Sequence, residues 1–136
     1  MKKIAKKKSL FDDIKSLIEQ SKQQISVAVN STMTMLYWQV GSRIKTEILQ
    51  NKRAEYGKEV IKQLADDLTK QYGNGWSEKH LRHCLRFAET FPDHSIVSAL
   101  RRQLTWTHIR AVLYIENDLK REFYIELWYP SNDSFL

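Results

Sequence analysis

Apolar residues recur at three- and four-residue steps along most of the chain, the spacing that gathers them on one stripe of an α-helix. Between residues 9 and 50 the stripe is Leu10, Ile14, Leu17, Ile18, Ile25, Val29, Met33, Leu36, Val40 and Ile44. The polar run Asn30-Ser31-Thr32 either divides this stretch into a hairpin of two helices or is absorbed into one rod of about 60 Å, at 1.5 Å per residue. Gly41 reads as a weak point that a helix tolerates. A rod of that length leaves its stripe uncovered, and a second copy of the chain would cover it. Ile14, Leu17, Ile18, Ile25 and Val29 are therefore the candidate dimerisation residues.

The polar segment 51–57 reads as a loop. A helix follows over 58–72, with Val60, Ile61, Leu64, Leu68 and Tyr72 on its inner face. Gly73-Asn74-Gly75 stops it, because glycine and asparagine take up the left-handed conformation of a helix C-cap. Ser77 then caps a helix running to Phe91, with Glu78 in its first turn and Leu81, Cys84, Leu85 and Ala88 facing inward, and Pro92 ends it. A short helix is expected over 95–103. Another starts after Thr105 and runs to Glu116, and a last one is capped by Asp118 and reaches Trp128. The pattern predicts an all-α fold: a helical bundle with long N-terminal helices and one or two helix–turn–helix-like units. The expected organisation is a basic tail over 1–8, one helical domain over 9–128 and a short polar end over 129–136.

Composition supports this. Only four Gly and two Pro occur in 136 residues, too few breakers for a turn-rich β fold. Cys84 is the single cysteine, so no internal disulfide exists and a reducing, cytoplasmic setting is the expectation. No apolar run approaches the roughly 20 residues of a membrane span. The net charge is +6, and five lysines within residues 2–8 account for most of it. The rest is uneven. Residues 76–110 carry six Lys/Arg and three acids, whereas residues 111–136 carry two and five.

The basic middle coincides with helices of a shape suited to duplex DNA. A recognition helix packs one face and offers the other to the major groove. On helix 77–91 the outward residues are Lys79, His80, Arg82, His83 and Arg86, which can donate to guanine O6/N7 or to phosphates. A second candidate unit carries Arg101 and Arg102, then a helix with His108 and Arg110. Its segment Leu104-Thr105-Trp106-Thr107-His108-Ile109-Arg110-Ala111-Val112-Leu113 resembles the recognition-helix region of ParB-type proteins.

Catalytic chemistry finds little support. His80, His83 and Cys84 are near neighbours, but zinc needs three or four converging ligands, so no metal or other cofactor is expected. Pro92-Asp93 with Asp118-Leu119-Lys120 has the letters of a PD-(D/E)xK nuclease signature. That chemistry needs its carboxylates on adjacent strands, whereas these positions end and begin helices. The aromatic residues fall mostly on helix stripes as core, with Trp76 in its glycine turn as the candidate for base stacking.

Several motifs occur in one order: Tyr37-Trp38-Gln39-Val40-Gly41, Tyr56-Gly57-Lys58-Glu59-Val60-Ile61-Lys62-Gln63-Leu64, Tyr72-Gly73-Asn74-Gly75-Trp76-Ser77, Phe91-Pro92, Gln103-Leu104-Thr105-Trp106-Thr107-His108 and Arg121-Glu122-Phe123-Tyr124. This series resembles the N-terminal domain of the YhcG-like bacterial proteins, a domain of unknown function, across residues 12–127. The resemblance implies a helical domain preceding a PD-(D/E)XK nuclease domain. Residues 128–136 depart from the family pattern, and no nuclease half is expected in this chain. The expected function is a non-catalytic, DNA-binding, self-associating module of a nuclease-type or restriction-related system. Its expected partners are duplex DNA, a second copy and a separate nuclease. The rival is a protein-interaction or oligomerisation domain without DNA contact.

Overall fold

The computed structural model describes residues 9–22, 29–51 and 55–128, and within them the chain is helical, with no strand. The elements are α1 (Leu10–Lys22), α2 (Val29–Leu49), α3 (Tyr56–Tyr72), α4 (Glu78–Thr90), α5 (His94–Gln103), α6 (Trp106–Val112) and α7 (Asp118–Trp128). The all-α expectation is met. The basic tail over 1–8, Ile25, the Val29 side chain and the end over 129–136 lie outside the described residues.

The N-terminal stripe forms two helices rather than one rod. Asn30, Ser31 and Thr32 sit inside the first turns of α2, not at a break. The two helices run antiparallel. Arg43 near the end of α2 bonds Asp13 near the start of α1, and also reaches Glu47 at 3.0 Å. The paired carboxylates hold the Arg43 pKa above its ordinary value against the opposing effect of burial. Because α1 folds back on α2, Ile14 and Ile18 are buried in the chain's own core. A stripe read as needing a second copy is thus covered from within, and of the dimerisation residues described only Leu17 stays partly exposed. Tyr72 on α3 donates to Glu19 on α1 (2.7 Å), and Tyr56 donates to Glu47 (2.9 Å), closing α3 over the hairpin.

Helix α2 is the hub, with its most extensive contact against α4. Gly41 explains how they approach. A Cβ placed there would lie 1.8 Å from the Cys84 carbonyl oxygen and 2.4 Å from its carbon. The helices therefore cross backbone on backbone, and Gly41 is a packing requirement rather than a tolerated weakness. On one side of the crossing lies a cluster of Ile14, Val40, Ile44, Leu64, Leu68 and Leu81 from α1 to α4. On the other, Phe87 and Phe91 of α4 join Val97, Leu100, Ile109, Val112, Leu113 and Ile125 from α5 to α7. Each such fully buried side chain contributes roughly 1.5–3 kcal/mol.

The helix ends follow their side chains. Gly73 takes φ +93° at the end of α3 and its N–H bonds Thr69 O. Ser77 accepts from the His80 N–H at 3.1 Å, and Asp93 accepts from the Ser95 N–H at 2.9 Å. Asn117, not Asp118, caps α7, its side chain accepting from the Lys120 N–H at 2.9 Å. Helix α6 stops at Val112, earlier than the pattern suggests, because Leu113 and Tyr114 form a turn held by Arg86 Nε donating to Leu113 O (2.9 Å). Arg121 Nη1 donates to Ile115 O at 2.7 Å just beyond.

Gly41→Ala is expected to destabilise the fold by about 3 kcal/mol or more, since a backbone carbonyl cannot move aside as a side chain can. Gly57→Ala, in α3 with only Ile48 side-chain atoms at 3.5 Å or more, is expected to be neutral or to stabilise by about 0.5–1 kcal/mol. Urea unfolding of the two variants checks this, and equal effects would refute the crossing argument.

Candidate nucleic-acid interface

Helix α4 buries Leu81, Cys84, Phe87 and Ala88, which aims the opposite side outward. Lys79, Arg82, His83 and Arg86 follow one another at i, i+3, i+4 and i+7, so they line that outer face. Arg110 of α6 joins them, since together with Lys79 it lowers the His83 pKa electrostatically after burial has done so. Arg110 also acts on the Tyr114 ring hydroxyl, as does Arg86. Arg86 Nε donating to Leu113 O (2.9 Å) and the His83 Nδ1–Tyr114 hydroxyl bond (2.8 Å) join the outer side of α4 to the end of α6, which brings the cations of the two helices into one neighbourhood. Among the described residues Lys79, Arg86 and Arg110 have no carboxylate partner within ion-pair distance, while Arg82 pairs with Glu78 at 3.2 Å.

The other candidates are placed differently. His80 packs among Tyr37, Trp76 and Trp106, with ring centroids 4.4, 5.4 and 6.0 Å away. Burial, with His83 and Arg110 adding to it, pushes its pKa down to about 4. It is a partly buried ring held neutral by its aromatic surroundings. His108 completes the capping box of α6 with Thr105 and rests on Trp128 at 5.0 Å, so it is occupied within the fold. Arg101 lies towards the α2 N-terminus, its Nη1 donating to Ser31 O at 3.5 Å, away from the α4–α6 face. Arg102 is exposed on α5. Arg86, though on the face, is tethered to Leu113 O and lies under the Tyr114 ring, 5.2 Å from its centroid.

Trp76 is buried against Tyr37 and is not available for stacking. The aromatic ring that does stand on the cationic face is Tyr114, half exposed, which sequence reasoning missed. It continues the Ile109–Leu113 run and looks like core. Only the early end of α6 turns it outward.

The chemistry outside this face is structural. The Cys84 thiol is buried, which pushes its pKa far up and leaves it without thiolate character. Among the described residues no three His, Cys, Asp or Glu side chains gather as metal ligands. Asp93 caps α5, and Asp118 pairs with Arg121 in the first turn of α7. Neither lies on a strand, as the nuclease signature requires. No described helix is long and apolar enough to cross a membrane.

The fold and this face define an all-α domain presenting one cationic surface built from two helices. The chain belongs to the family described as DUF1016 N-terminal domain, which matches residues 13–133. Over 97 residues it is 33% identical to the Escherichia coli (strain K12) protein described as "Putative nuclease YhcG", covering 71% of this chain and 26% of that relative. The chain thus spans about a quarter of the relative's length. The family resemblance read from the sequence is shown by these matches. No solved structure matches the chain.

His80 has a pH signature. The unfolded chain protonates this ring near pH 6.5, whereas the fold holds it neutral to about pH 4. The unfolded state binds more protons between those values, so the contribution is complete above about pH 6.5 and is lost as pH falls towards 4. At about 1.4 kcal/mol per unit it amounts to at most about 3 kcal/mol. His80→Phe, which keeps a ring in the cage, is expected to lose less stability than the wild type between pH 7 and pH 4.5. Parallel declines in urea midpoints would remove His80 from the account.

Proposed function

We propose that this chain is a non-catalytic nucleic-acid-binding module of a nuclease-type or restriction-related system, reading duplex DNA with the α4–α6 face. The observation that carries the reading is that the outer side of α4, with Lys79, Arg82 and Arg86, adjoins Arg110 of α6, and that among the described residues Lys79, Arg86 and Arg110 form no ion pair with a carboxylate. Phosphates are the complementary ligand for such a face, and their neutralisation gives binding its salt dependence. Similarity to the protein described as "Putative nuclease YhcG" supports the same reading. The shape of the pair α3–α4 suggests a helix–turn–helix, but α4 rests mainly on α2, so Lys79 and Arg82 in its first two turns are the residues offered to a groove.

Lys79→Ala with Arg110→Ala is expected to lower the slope of log K against log salt by about two, and to leave thermal stability nearly unchanged. A chain lacking residues 1–8 should keep the steep slope of the folded face. A slope that disappears with those lysines and ignores Lys79 and Arg110 would refute the assignment.

The reading of an interaction domain is favoured by a separate observation. Leu119, Phe123 and Leu127 form a stripe on α7, and they are 78%, 61% and 63% exposed. The stripe is symmetric about Phe123, so an antiparallel second copy sets Leu119 against Leu127 and Phe123 against itself. Such a pairing also sets Glu122 beside its own image. Self-association through α7 should therefore strengthen with salt, opposite to DNA binding. Sedimentation of wild type and Phe123→Asp at low and high salt tests it. A monomer at all concentrations and salts removes the second copy from the reading.

A further inference from the structure

Tyr114 has a place on the cationic face that packing does not explain. It is 50% exposed, yet it is held from several sides. Its hydroxyl lies 2.8 Å from His83 Nδ1 in a hydrogen bond. The His83 ring meets it edge-on at 5.5 Å. The Arg86 guanidinium backs the ring 5.2 Å from its centroid, itself tied to Leu113 O at 2.9 Å. Arg110 and Glu89 are the other charged groups near the hydroxyl. The ring is thus a fixed aromatic surface among cations, and its ordering cost is already met before any ligand arrives.

Paired bases inside a duplex lie stacked on one another and offer side chains only their edges. An unpaired base exposes a π face, which aromatic side chains flanked by cations take up without regard to sequence. Lys79 and Arg110 both act electrostatically on His83, whose ring holds the Tyr114 hydroxyl, so cations that can neutralise the phosphates of such a nucleotide lie in the same neighbourhood. We propose that Tyr114 is a stacking platform for an unpaired nucleotide, so that the α4–α6 face binds DNA where single strand meets duplex. This inference rests on the reading of that face as a nucleic-acid surface and narrows its ligand to strand ends, gaps or overhangs.

The test compares a blunt duplex with the same duplex carrying a single-stranded thymidine overhang, by fluorescence anisotropy at one salt concentration. The wild type is expected to bind the overhang form about tenfold more tightly, the scale of one stacked base. Tyr114→Ala should abolish that difference, and Tyr114→Phe should retain most of it because the ring remains. Tyr114 is half exposed, so the variants are expected to fold, which a thermal melt verifies. Lys79→Ala with Arg110→Ala is measured alongside. If that double variant weakens both ligands but the wild type shows no preference for the overhang, or Tyr114→Ala keeps the wild-type preference, the stacking platform is overturned and the cationic face stands. If the double variant changes neither, the face itself fails and the platform with it.

Discussion

The close crossing of α2 and α4 at Gly41 is the constraint on which the other features depend. A side chain at Gly41 would overlap the Cys84 carbonyl, so only a glycine lets the two backbones touch. With that contact made, α4 supplies both hydrophobic clusters at once, Leu81 and Cys84 to one and Phe87 to the other. A helix pinned along its inner side has its outer side determined. Lys79, Arg82, His83 and Arg86 face outward because Leu81, Cys84, Phe87 and Ala88 cannot.

The second cluster then brings α6 beside α4. Tyr37 of α2, His80 of α4 and Trp106 of α6 meet at centroid distances of 4.4, 4.8 and 6.0 Å, an aromatic joint between the three helices. Arg86 makes a second joint by gripping Leu113 O where α6 ends. These two attachments place Arg110 near His83 and turn Tyr114 into solvent. The same residue types thus have two fates decided by a turn of helix. His80 is caged by Tyr37, Trp76 and Trp106 and held neutral, whereas His83, three positions on, bonds Tyr114 beside the cations.

The molecule therefore presents two surfaces of opposite chemistry. The α4–α6 face is cationic with one ordered tyrosine, and α7 carries an uncovered apolar stripe with glutamates on its flank. The chain belongs to a family described as DUF1016 N-terminal domain and is similar to about a quarter of the protein described as "Putative nuclease YhcG". Among the described residues no three His, Cys, Asp or Glu side chains gather as metal ligands, and the Cys84 thiol, whose pKa burial raises, lies within the core.

The all-α class, the helix boundaries to within a few residues, the Gly73 stop and the Ser77 and Thr105 caps were legible from the amino-acid pattern, because helix periodicity and capping are local properties. Family membership was legible too, since it lies in the order of short motifs. Local patterns cannot say what covers a stripe. Ile14 and Ile18 look the same whether a second chain or α2 packs on them, and only the fold-back of α1 decided. Gly41 reads as a helix weakness until another backbone lies against it. His80 and Lys79 are adjacent in sequence and both polar, yet a rotation of about 100° between neighbouring helix positions sends one inside and the other out. The convergence of Lys79, Arg86 and Arg110 joins residues up to 31 positions apart in the chain. That distance is closed by burial of the α4 and α6 inner faces in one cluster, which tertiary packing alone determines.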